Sequence, residues 1–403
     1  MAGVVLAISL GLGVYAYVGY PVLLKLLSRS RGLRPRAAGS GEWPLISIVI
    51  PVHNEAAVVA GTLEQILAID YPADRRQIVV VSDASTDGTD EIVARFAPQG
   101  VELLRLPLRR GKTAAENAAG SRLTGDIIVN TDASVRVDVG AVQRLVAAFR
   151  DPLVGVASGR DVSVADVDDR ANPGESAYVG YEMWVRNLET QVLGIVGASG
   201  CLYAIRKDLH LRFMPESLSR DFGAALVARE HGFRAVSVPE AICYVPRSVS
   251  LRREYRRKVR TMARGLRTLW HKRALLHPRR HGLFAWMLWS HKLCRWLVPW
   301  AILVMTAALA VLAPQHWWAA ATLVLGGAAA LVTTIGWVWP EGDGERSGRP
   351  LPRVIALPAY AVSGNIAALH AWIRALGRQG TALWEPTRRG ITNRPAGQAS
   401  RQA

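Results

Sequence analysis

Long uncharged stretches constrain this chain more than any other feature, because they suit a lipid bilayer better than the core of a soluble domain. Residues 4–24 carry no charged side chain, and at 1.5 Å per helical residue they are long enough to cross a membrane. Residues 296–313 and 317–339 are also uncharged and have Trp at or near their ends, as is typical of membrane interfaces. Residues 354–373 are uncharged but contain Asn365, which makes this stretch the weakest of the four.

The first stretch predicts a retained anchor, since it is longer than the apolar part of a signal peptide. A basic segment follows at once and is expected on the cytoplasmic side; it contains Lys25, Arg29, Arg31, Arg34 and Arg36. Residues 45–290 are then cytoplasmic, and the predicted location is the cell (inner) membrane, with several passes. Three more crossings would place the Arg-rich tail outside. We favour crossing by residues 354–373, although that crossing and the side of the C-terminus stay open.

The positive charge of the chain is concentrated in one segment. The chain has 49 Lys and Arg against 32 Asp and Glu, yet residues 45–243 hold more acids than bases. Residues 244–296 hold Glu254 among many bases. A nucleic-acid binder would spread its basic residues over the domain, so this class is excluded. A basic surface facing lipid or nucleotide phosphate is predicted instead. The three cysteines lack metal-ligand spacing, which excludes a zinc cluster.

Between the apolar stretches, buried strand patterns alternate with helical ones, which predicts a mostly parallel α/β sheet. The expected strands are residues 45–51, 77–81, 101–106, 127–130 and 154–158. Three acids follow strand ends, where ligands of such sheets bind: Asp83, Asp87 and Asp132. Acids there hold a ribose, a base edge or a metal bridging phosphates, although each alone also suits a turn. The chain has no glycine-rich dinucleotide fingerprint and no P-loop motif.

These segments resemble the family 2 glycosyltransferases, and more closely the membrane-bound branch of cellulose, hyaluronan and poly-N-acetylglucosamine synthases. The similar motifs run from Ile48 to Glu55, from Val81 to Thr89 and from Asn130 to Ser134. The resemblance covers roughly residues 44–270 and the layout of apolar stretches. It implies a GT-A fold, a nucleotide-sugar donor (usually a UDP-sugar), Mg²⁺ or Mn²⁺, and an inverting transfer of a hexosyl or N-acetylhexosaminyl group.

The resemblance also implies roles for individual residues on the donor side. The nucleoside pocket would be lined by Pro51, Val52, Asn54 and Glu55, with Glu55 near the ribose. Asp83 would bind the uracil edge, and Lys112 would help to hold the nucleotide. Asp132 matches the first acid of the DxD motif, which binds the donor diphosphate through the metal. Ser134 replaces the second acid and is a weaker oxygen ligand.

On the acceptor side, the segment with Gly200 and Tyr203 resembles the one that lies beneath the acceptor. Asp221 matches the last acid of the family's acidic triplet and would be the general base. Arg220 stands where an acid is common. Residues 252–270 predict a basic amphipathic helix on the membrane surface. There Arg260 matches the Arg of the QxxRW motif, which stabilises the leaving diphosphate, while the Gln and Trp of that motif are missing.

The sequence therefore predicts an integral-membrane glycosyltransferase that acts on a lipid-linked or polysaccharide acceptor in cell-surface glycan synthesis. Two alternatives stay open: a processive synthase that secretes its polymer, and a weakly catalytic nucleotide-sugar-binding subunit. The sugar, linkage, oligomeric state and partner subunits are not predicted. The expected organisation is an anchor at residues 1–27, a basic linker at 28–44, a cytoplasmic GT-A domain at 45–246, basic interface helices at 247–293, C-terminal transmembrane helices at 294–376 and a basic tail at 377–403.

Overall fold

A computed structural model describes residues 1–31, 43–164, 173–246, 251–338 and 353–377. Most of the predicted basic linker and tail lies outside these residues. The described strands are β1 (Ile46–Val52), β2 (Arg76–Ser82), β3 (Val101–Arg105), β4 (Ile127–Thr131), β5 (Arg136–Val137), β6 (Val154–Val164), β7 (Leu202–Arg206) and β8 (Arg234–Pro246). They form one sheet in the order β3-β2-β1-β4-β7-β6-β8-β5.

The direction of the strands determines which loops meet. β1 pairs in parallel with both β2 and β4, β2 with β3, and β6 with β8. β7 runs antiparallel to β4 and β6, and β5 runs antiparallel to β8. The predicted mostly parallel sheet is thus confirmed. The carboxyl ends of β1, β2 and β4 lie at one edge, and the reversed strand β7 begins at that edge, where Thr131 pairs with Leu202.

Helices cover both faces of the sheet, because its central strands are apolar on both sides. In β1, Ile46, Ile48 and Ile50 face one hydrophobic core, whereas Val49 faces the other. The helices of this part of the chain are α3 (Val59–Leu67), α4 (Thr89–Ala94), α5 (Lys112–Ala119), α6 (Ala141–Ala147), α7 (Pro173–Val192), α8 (Lys207–His210) and α9 (Arg220–Glu230).

Three helical segments among the described residues are long and apolar enough to cross a membrane. The first joins α1 (Ala2–Val14) to α2 (Tyr20–Arg31) through a π-helical turn. The second joins α11 (Pro278–Leu288) to α12 (Arg295–Leu312) through another π-helical turn. The third is α13 (Trp317–Val338). The second segment begins at Pro278, well before the predicted start at residue 296. The prediction was late because the start of α11 is rich in Arg, although the residues after it are apolar.

The predicted amphipathic helix is present as α10 (Leu251–His271), and it packs along α14 (Arg353–Leu376). Its buried face includes Val259 and Leu266, whereas Trp270 is largely exposed. The Tyr255 hydroxyl lies 3.1 Å from His370 Nδ1, and the Lys258 ammonium lies 3.3 Å from the centre of the Tyr360 ring. The weakest of the four apolar stretches therefore forms a helix in contact with the basic one.

Candidate active site

The loops after β1 and β2 are held against each other. Asn54 and Ala84 both have positive φ angles, 54° and 55°, which non-glycine residues seldom adopt. The Asn54 side-chain oxygen accepts a hydrogen bond from the Thr86 amide at 2.8 Å, and His53 Nδ1 lies 2.7 Å from the Asp83 carbonyl oxygen. Strained backbone of this kind persists where the surroundings fix it, often at ligand sites.

Asp83 and Asp87 fix these loops through backbone amides. The Asp83 carboxylate accepts hydrogen bonds from the amides of Arg110 and Gly111, at 2.7 and 2.8 Å, and it is 1% exposed. Asp87 accepts from the Ala56 amide at 3.0 Å and from the Thr89 amide at 3.1 Å. Burial pushes the pKa of Asp87 upward, but the hydrogen bonds from the Thr89 hydroxyl and from the two amides outweigh it and lower the pKa below its ordinary value. Both carboxylates thereby shape the pocket loops, and their contact with a nucleoside stays a prediction.

Asp132 meets Lys112 directly after β4. The Lys112 ammonium lies 2.5 Å from Asp132 Oδ1 and donates to the Gly200 carbonyl oxygen at 3.0 Å. Burial alone would lower the pKa of Lys112, yet the carboxylates of Asp132 and Glu116 raise it above its ordinary value. The group is therefore a permanent cation at the edge where the three strand ends meet. Ser134, two residues on, is buried.

Asp221 joins the same cluster from the first turn of α9. Ser219 donates a hydrogen bond to its Oδ1 at 2.5 Å. Its Oδ2 lies so close to Gly200 that a Cβ atom built there would be only 2.6 Å away. Asp132, Lys112, Gly200 and Asp221 thus come from four separate parts of the chain and form one half-buried group with three charged side chains.

Arg220 does not use its charge on Asp221. Its guanidinium donates hydrogen bonds to the Asn117 side chain and to the His210 carbonyl oxygen, and its Nε lies 3.9 Å from Glu116 Oε2. Burial raises the pKa of Glu116, and the charges of Lys112 and Arg220 partly offset that rise. Arg220 therefore ties α9 to α5 and α8, which gives this cation a structural role at the position where the resemblance implied an acid.

Several predicted residues lie beneath this surface. Pro51 and Val52 end β1 and are buried, Glu55 is 7% exposed, and Asn54 is exposed. Tyr203 is 1% exposed within β7, and its hydroxyl has no hydrogen-bond partner among the described residues. Tyr203 is thus buried beneath the site. Its contact with an acceptor stays a prediction.

The helix α10 reaches the site through a residue that the sequence did not single out. Arg264 Nη2 donates to the Thr113 hydroxyl at 2.7 Å and also to the Leu218 carbonyl oxygen, just before Asp221. Burial lowers the pKa of Arg264, although the Asp221 carboxylate opposes the shift. Arg260 lies one helical turn earlier on the same face and is half-buried.

Glu116 and Asp161 are two further acids near the site that sequence reasoning missed. Asp161 accepts a hydrogen bond from the Ser199 hydroxyl at 2.7 Å, next to Gly200. Neither acid follows a strand end, so the pattern that revealed Asp83 and Asp132 could not find them. Glu116 is four residues from Lys112, which is the spacing of facing residues on a helix and the signal that was available.

Comparisons with known proteins agree with this geometry. The family described as "Glycosyl transferase family 2" matches residues 47–210. The solved structure of the mannosyltransferase PcManGT from Pyrobaculum calidifontis, in complex with GDP-Man and Mn²⁺, superposes with a TM-score of 0.66. It is 26% identical, and the match covers 91% of this chain and 99% of that chain.

Two curated relatives are similar over part of their length. An N-acetylglucosaminyltransferase of Rhizobium sp. (strain N33) is 26% identical over 51% of this chain and 49% of its own. A beta-monoglucosyldiacylglycerol synthase of Nostoc sp. (strain PCC 7120 / SAG 25.82 / UTEX 2576) is 26% identical over 46% of this chain and 40% of its own. The chain thus spans half or less of the length of these two relatives.

The parallel sheet and the charged cluster at its carboxyl edge define a GT-A nucleotide-sugar transferase fold. Residues 47–210 match the model of glycosyl transferase family 2. The predicted family, fold class and enzyme class are confirmed by these findings.

Proposed function

We propose that this protein is an integral-membrane, inverting glycosyltransferase that moves a sugar from a nucleotide-sugar to a lipid-linked or polysaccharide acceptor. The observation that carries the proposal is the meeting of Asp132, Lys112, Gly200 and Asp221 at one edge of the sheet. A donor diphosphate needs cations and a metal ligand, and an acceptor hydroxyl needs a base. This group supplies all three within one site.

The donor diphosphate would lie beside Asp132 and Lys112. Asp132 offers a carboxylate to Mg²⁺ or Mn²⁺, and Lys112 supplies positive charge next to it. Among the described residues, no three His, Cys, Asp or Glu side chains are grouped so that they could hold a metal. One carboxylate with phosphate oxygens and water is an ordinary ligand set for these ions, so the donor would complete the site. The Mn²⁺ bound with GDP-Man in the mannosyltransferase supports this assignment. A bound metal supplies Lewis-acid stabilisation of the leaving diphosphate.

Asp221 would act on the acceptor. Its carboxylate takes the proton of the acceptor hydroxyl while that oxygen forms a bond to the anomeric carbon. The bond between this carbon and the diphosphate breaks on the opposite face, and its electron pair leaves with the nucleoside diphosphate. The contact with Gly200 fixes one side of the carboxylate, and the Ser219 hydroxyl orients the other. Lys112 and Arg260 are the cations assigned to the leaving group.

The acceptor is assigned to the membrane. Three described helices are apolar and long enough to span a bilayer. The basic helix α10 contacts both α14 and the loop that contains Leu218, just before Asp221. The relative that is a beta-monoglucosyldiacylglycerol synthase supports a lipid acceptor, and the N-acetylglucosaminyltransferase supports an N-acetylhexosaminyl donor. We place the catalytic domain in the cytoplasm, because the basic flank of the first apolar segment favours that side.

The processive synthase remains the second candidate, favoured by the number of apolar helices, whereas the missing Trp of the QxxRW motif favours single or short additions. The alternative of a weakly catalytic binding subunit was based on Ser134 and Arg220, because each stands where the resemblance implies an acid. Arg220 no longer supports it, because the guanidinium of Arg220 is engaged in fixing α9. Turnover separates the enzyme from the binding subunit, and product length separates the two enzymes.

The experiment uses the full chain purified into lipid nanodiscs with Mn²⁺ or Mg²⁺. It is incubated with a panel of UDP- and GDP-sugars and with lipid extracts as acceptors, and released nucleotide and product mass are measured. Nucleotide release matched by a lipid product heavier by one or a few sugars supports the proposal. A long ladder of products identifies the processive synthase, and nucleotide binding without release identifies the binding subunit.

A further inference from the structure

A cluster of charged side chains lies between the catalytic domain and the apolar helices. We call it the α7 cluster; its members are Glu182, Arg186, Glu189, His291, Lys292 and Arg295. The first three belong to α7, and the others lie in or next to the π-helical turn that joins α11 to α12. Each residue is largely buried, so its charges need partners to be tolerated.

The two carboxylates of the cluster are fully engaged. Glu189 accepts hydrogen bonds from the Tyr20 hydroxyl at 2.5 Å and from the Val196 amide at 3.4 Å, and it lies 2.6 Å from His291 Nδ1. Glu182 lies 2.9 Å from His291 Nε2 and accepts from Arg295 Nη1 at 2.7 Å. These contacts join α2, α7 and α12.

The cations of the cluster outnumber its carboxylates, and two of them are poorly matched. Arg186 is 9% exposed, and its Nε and Nη1 atoms have no hydrogen-bond acceptor among the described residues. Its nearest acid, Glu182, is 3.5 Å away and already bound by His291 and Arg295. The Lys292 ammonium is 3.7 Å from the same carboxylate, too far for a hydrogen bond. The two Arg186 donors left unpaired cost free energy, and an anion placed between Arg186 and Lys292 would recover it.

One of these two cations, Lys292, adjoins the catalytic site. The Lys292 ammonium lies 5.7 Å from the centre of the Phe222 ring, and Phe222 directly follows Asp221 in α9. A Cβ atom built on Gly197 would be 3.5 Å from Lys292 Cε, and Gly197 belongs to the segment that ends at Gly200. The positive charge therefore lies beside the proposed base and acceptor segment, away from the strand ends that hold Asp132.

The cluster also borders the apolar helices. Tyr178 and Trp184 project from α7 and are 43% and 44% exposed, and Trp289 of the π-helical turn is 41% exposed. Exposed aromatic residues next to apolar helices are typical of the headgroup level of a membrane. An anion bound by Arg186 and Lys292 at this level would belong to a lipid headgroup rather than to a soluble metabolite.

We propose that Arg186 and Lys292 bind the phosphate of an anionic acceptor lipid and hold its headgroup against Asp221. The inference rests on the proposed function, because it names the chemistry of the acceptor. The guanidinium fork and the ammonium group are the two side chains best suited to phosphate oxygens. Glu182 lies near both cations, and Arg295 and His291 fix Glu182 in turn.

The test measures binding of radiolabelled dodecyl phosphate to the full chain in dodecyl maltoside, a neutral detergent. Arg186→Gln and Lys292→Gln are each expected to weaken binding by about tenfold or more, since each removes a charge-assisted contact. Lys292→Arg should retain binding, which separates a charge role from a packing role. Arg279→Gln removes an exposed cation of α11 and should leave binding unchanged. Equal affinities of the wild-type protein and both Gln variants would overturn the proposal.

Competition identifies the source of the phosphate. Neither inorganic phosphate nor phosphatidylglycerol should displace dodecyl phosphate at equal concentration. Displacement by inorganic phosphate would show a site for a free anion, and displacement by phosphatidylglycerol would show a site for bulk phospholipid; either result overturns the acceptor assignment. Sugar transfer to neutral lipids without phosphate-dependent binding would also overturn it while leaving the proposed function intact. Dodecyl phosphate binding without transfer to any acceptor would instead contradict the proposed function, and the acceptor role of the site with it.

Discussion

At the scale of single residues, the site depends on carboxylates that each have one task. Asp83 and Asp87 hold backbone amides, Asp132 faces Lys112, and Asp221 faces Gly200. The contacts differ although all four residues are acids in loops or helix starts. Substitutions that keep size but remove charge should therefore have separable effects.

Asp132→Asn should abolish metal-dependent transfer. We assign the Asp132 carboxylate to the metal, and an amide oxygen carries no charge to replace it. The measurement is nucleotide release across a Mn²⁺ titration, with Asp74→Asn as the control because Asp74 pairs with Arg75 at the surface. Near-normal release by Asp132→Asn at saturating Mn²⁺ would remove Asp132 from the metal site.

Asp221→Asn should reduce transfer by about 10²–10⁴-fold, the usual contribution of a general base. Donor affinity should change little, because the carboxylate faces the acceptor segment at Gly200. Turnover and the dissociation constant of the nucleotide are measured on the same preparation, together with its thermal unfolding. A parallel loss of affinity and turnover would assign Asp221 to the donor site or to the stability of α9.

Gly200→Ala tests the contact between Gly200 and the Asp221 carboxylate by changing the glycine instead of the acid. The added Cβ would lie 2.6 Å from Asp221 Oδ2, so the carboxylate must move. A displacement of about 1 Å in a reacting group can cost about 10²-fold in rate, so turnover should fall by that amount. Gly61→Ala is the control, since its Cβ would meet nothing within 4 Å. Equal turnover of the two variants would place the reaction away from this contact.

The sequence predicted the residues at strand ends better than those inside helices. Asp83 and Asp132 were found because acids at the ends of parallel strands share one edge. The sequence could not show that Asp83 is occupied by the amides of Arg110 and Gly111, because that contact depends on how a later loop folds back. Asp161 and Arg264 were missed for the same reason, since tertiary packing brings them to the site, whereas the spacing of Glu116 from Lys112 was a signal in the sequence.

At the scale of elements, α10 is more than a basic surface. Arg264 fixes the loop before Asp221, and Arg267 Nη2 donates to the Arg374 carbonyl oxygen of α14 at 2.6 Å. Two Arg residues that appeared to suit only lipid headgroups thus make internal contacts. The amphipathic pattern identified the helix correctly, but it could not tell which cations point inward.

Arg260→Ala should reduce turnover by about 10²–10³-fold, because a cation preorganised against a developing phosphate charge stabilises the transition state. Its thermal unfolding should stay near that of the wild-type protein. Arg264→Ala should lower turnover and thermal stability together, since it releases the loop bound through Leu218. Arg253→Ala is the exposed control and should affect neither. Equal activity of Arg260→Ala and Arg253→Ala in neutral detergent would contradict the role of Arg260.

The first four strands were predicted accurately, including β3, most of whose residues are exposed. β1, β2 and β4 were placed to within two residues at each end. β7 and β8 were not predicted, because their sequences mix Tyr, Arg, Pro and Glu with apolar residues. Their pairing in the sheet is long-range, with β8 joined to β6 across about eighty residues of chain, and local patterns carry little information on such contacts.

At the scale of the whole molecule, the carboxyl ends of β1, β2 and β4 face the group formed by Asp132, Lys112 and Asp221. The opposite edge of the sheet has a separate cavity. That cavity has a volume of about 260 Å³ and is lined by Trp43, Asp126, Arg150 and Arg206, at the start of β1 and β4. Because two Arg residues line this cavity, it is an alternative binding site for the anionic diphosphate of the donor. The proposed function requires that the donor bind at the carboxyl edge instead.

The most direct test is the structure of the full chain in a nanodisc with a hydrolysis-resistant UDP-sugar analogue and Mn²⁺, determined by electron cryomicroscopy. We expect the diphosphate next to Asp132 and Lys112, with Mn²⁺ between the phosphates and the Asp132 carboxylate, and the sugar facing Gly200 and Asp221. Density for the diphosphate at Arg150 and Arg206, or at the carboxyl edge but remote from Asp132, would contradict the assignment of the active site.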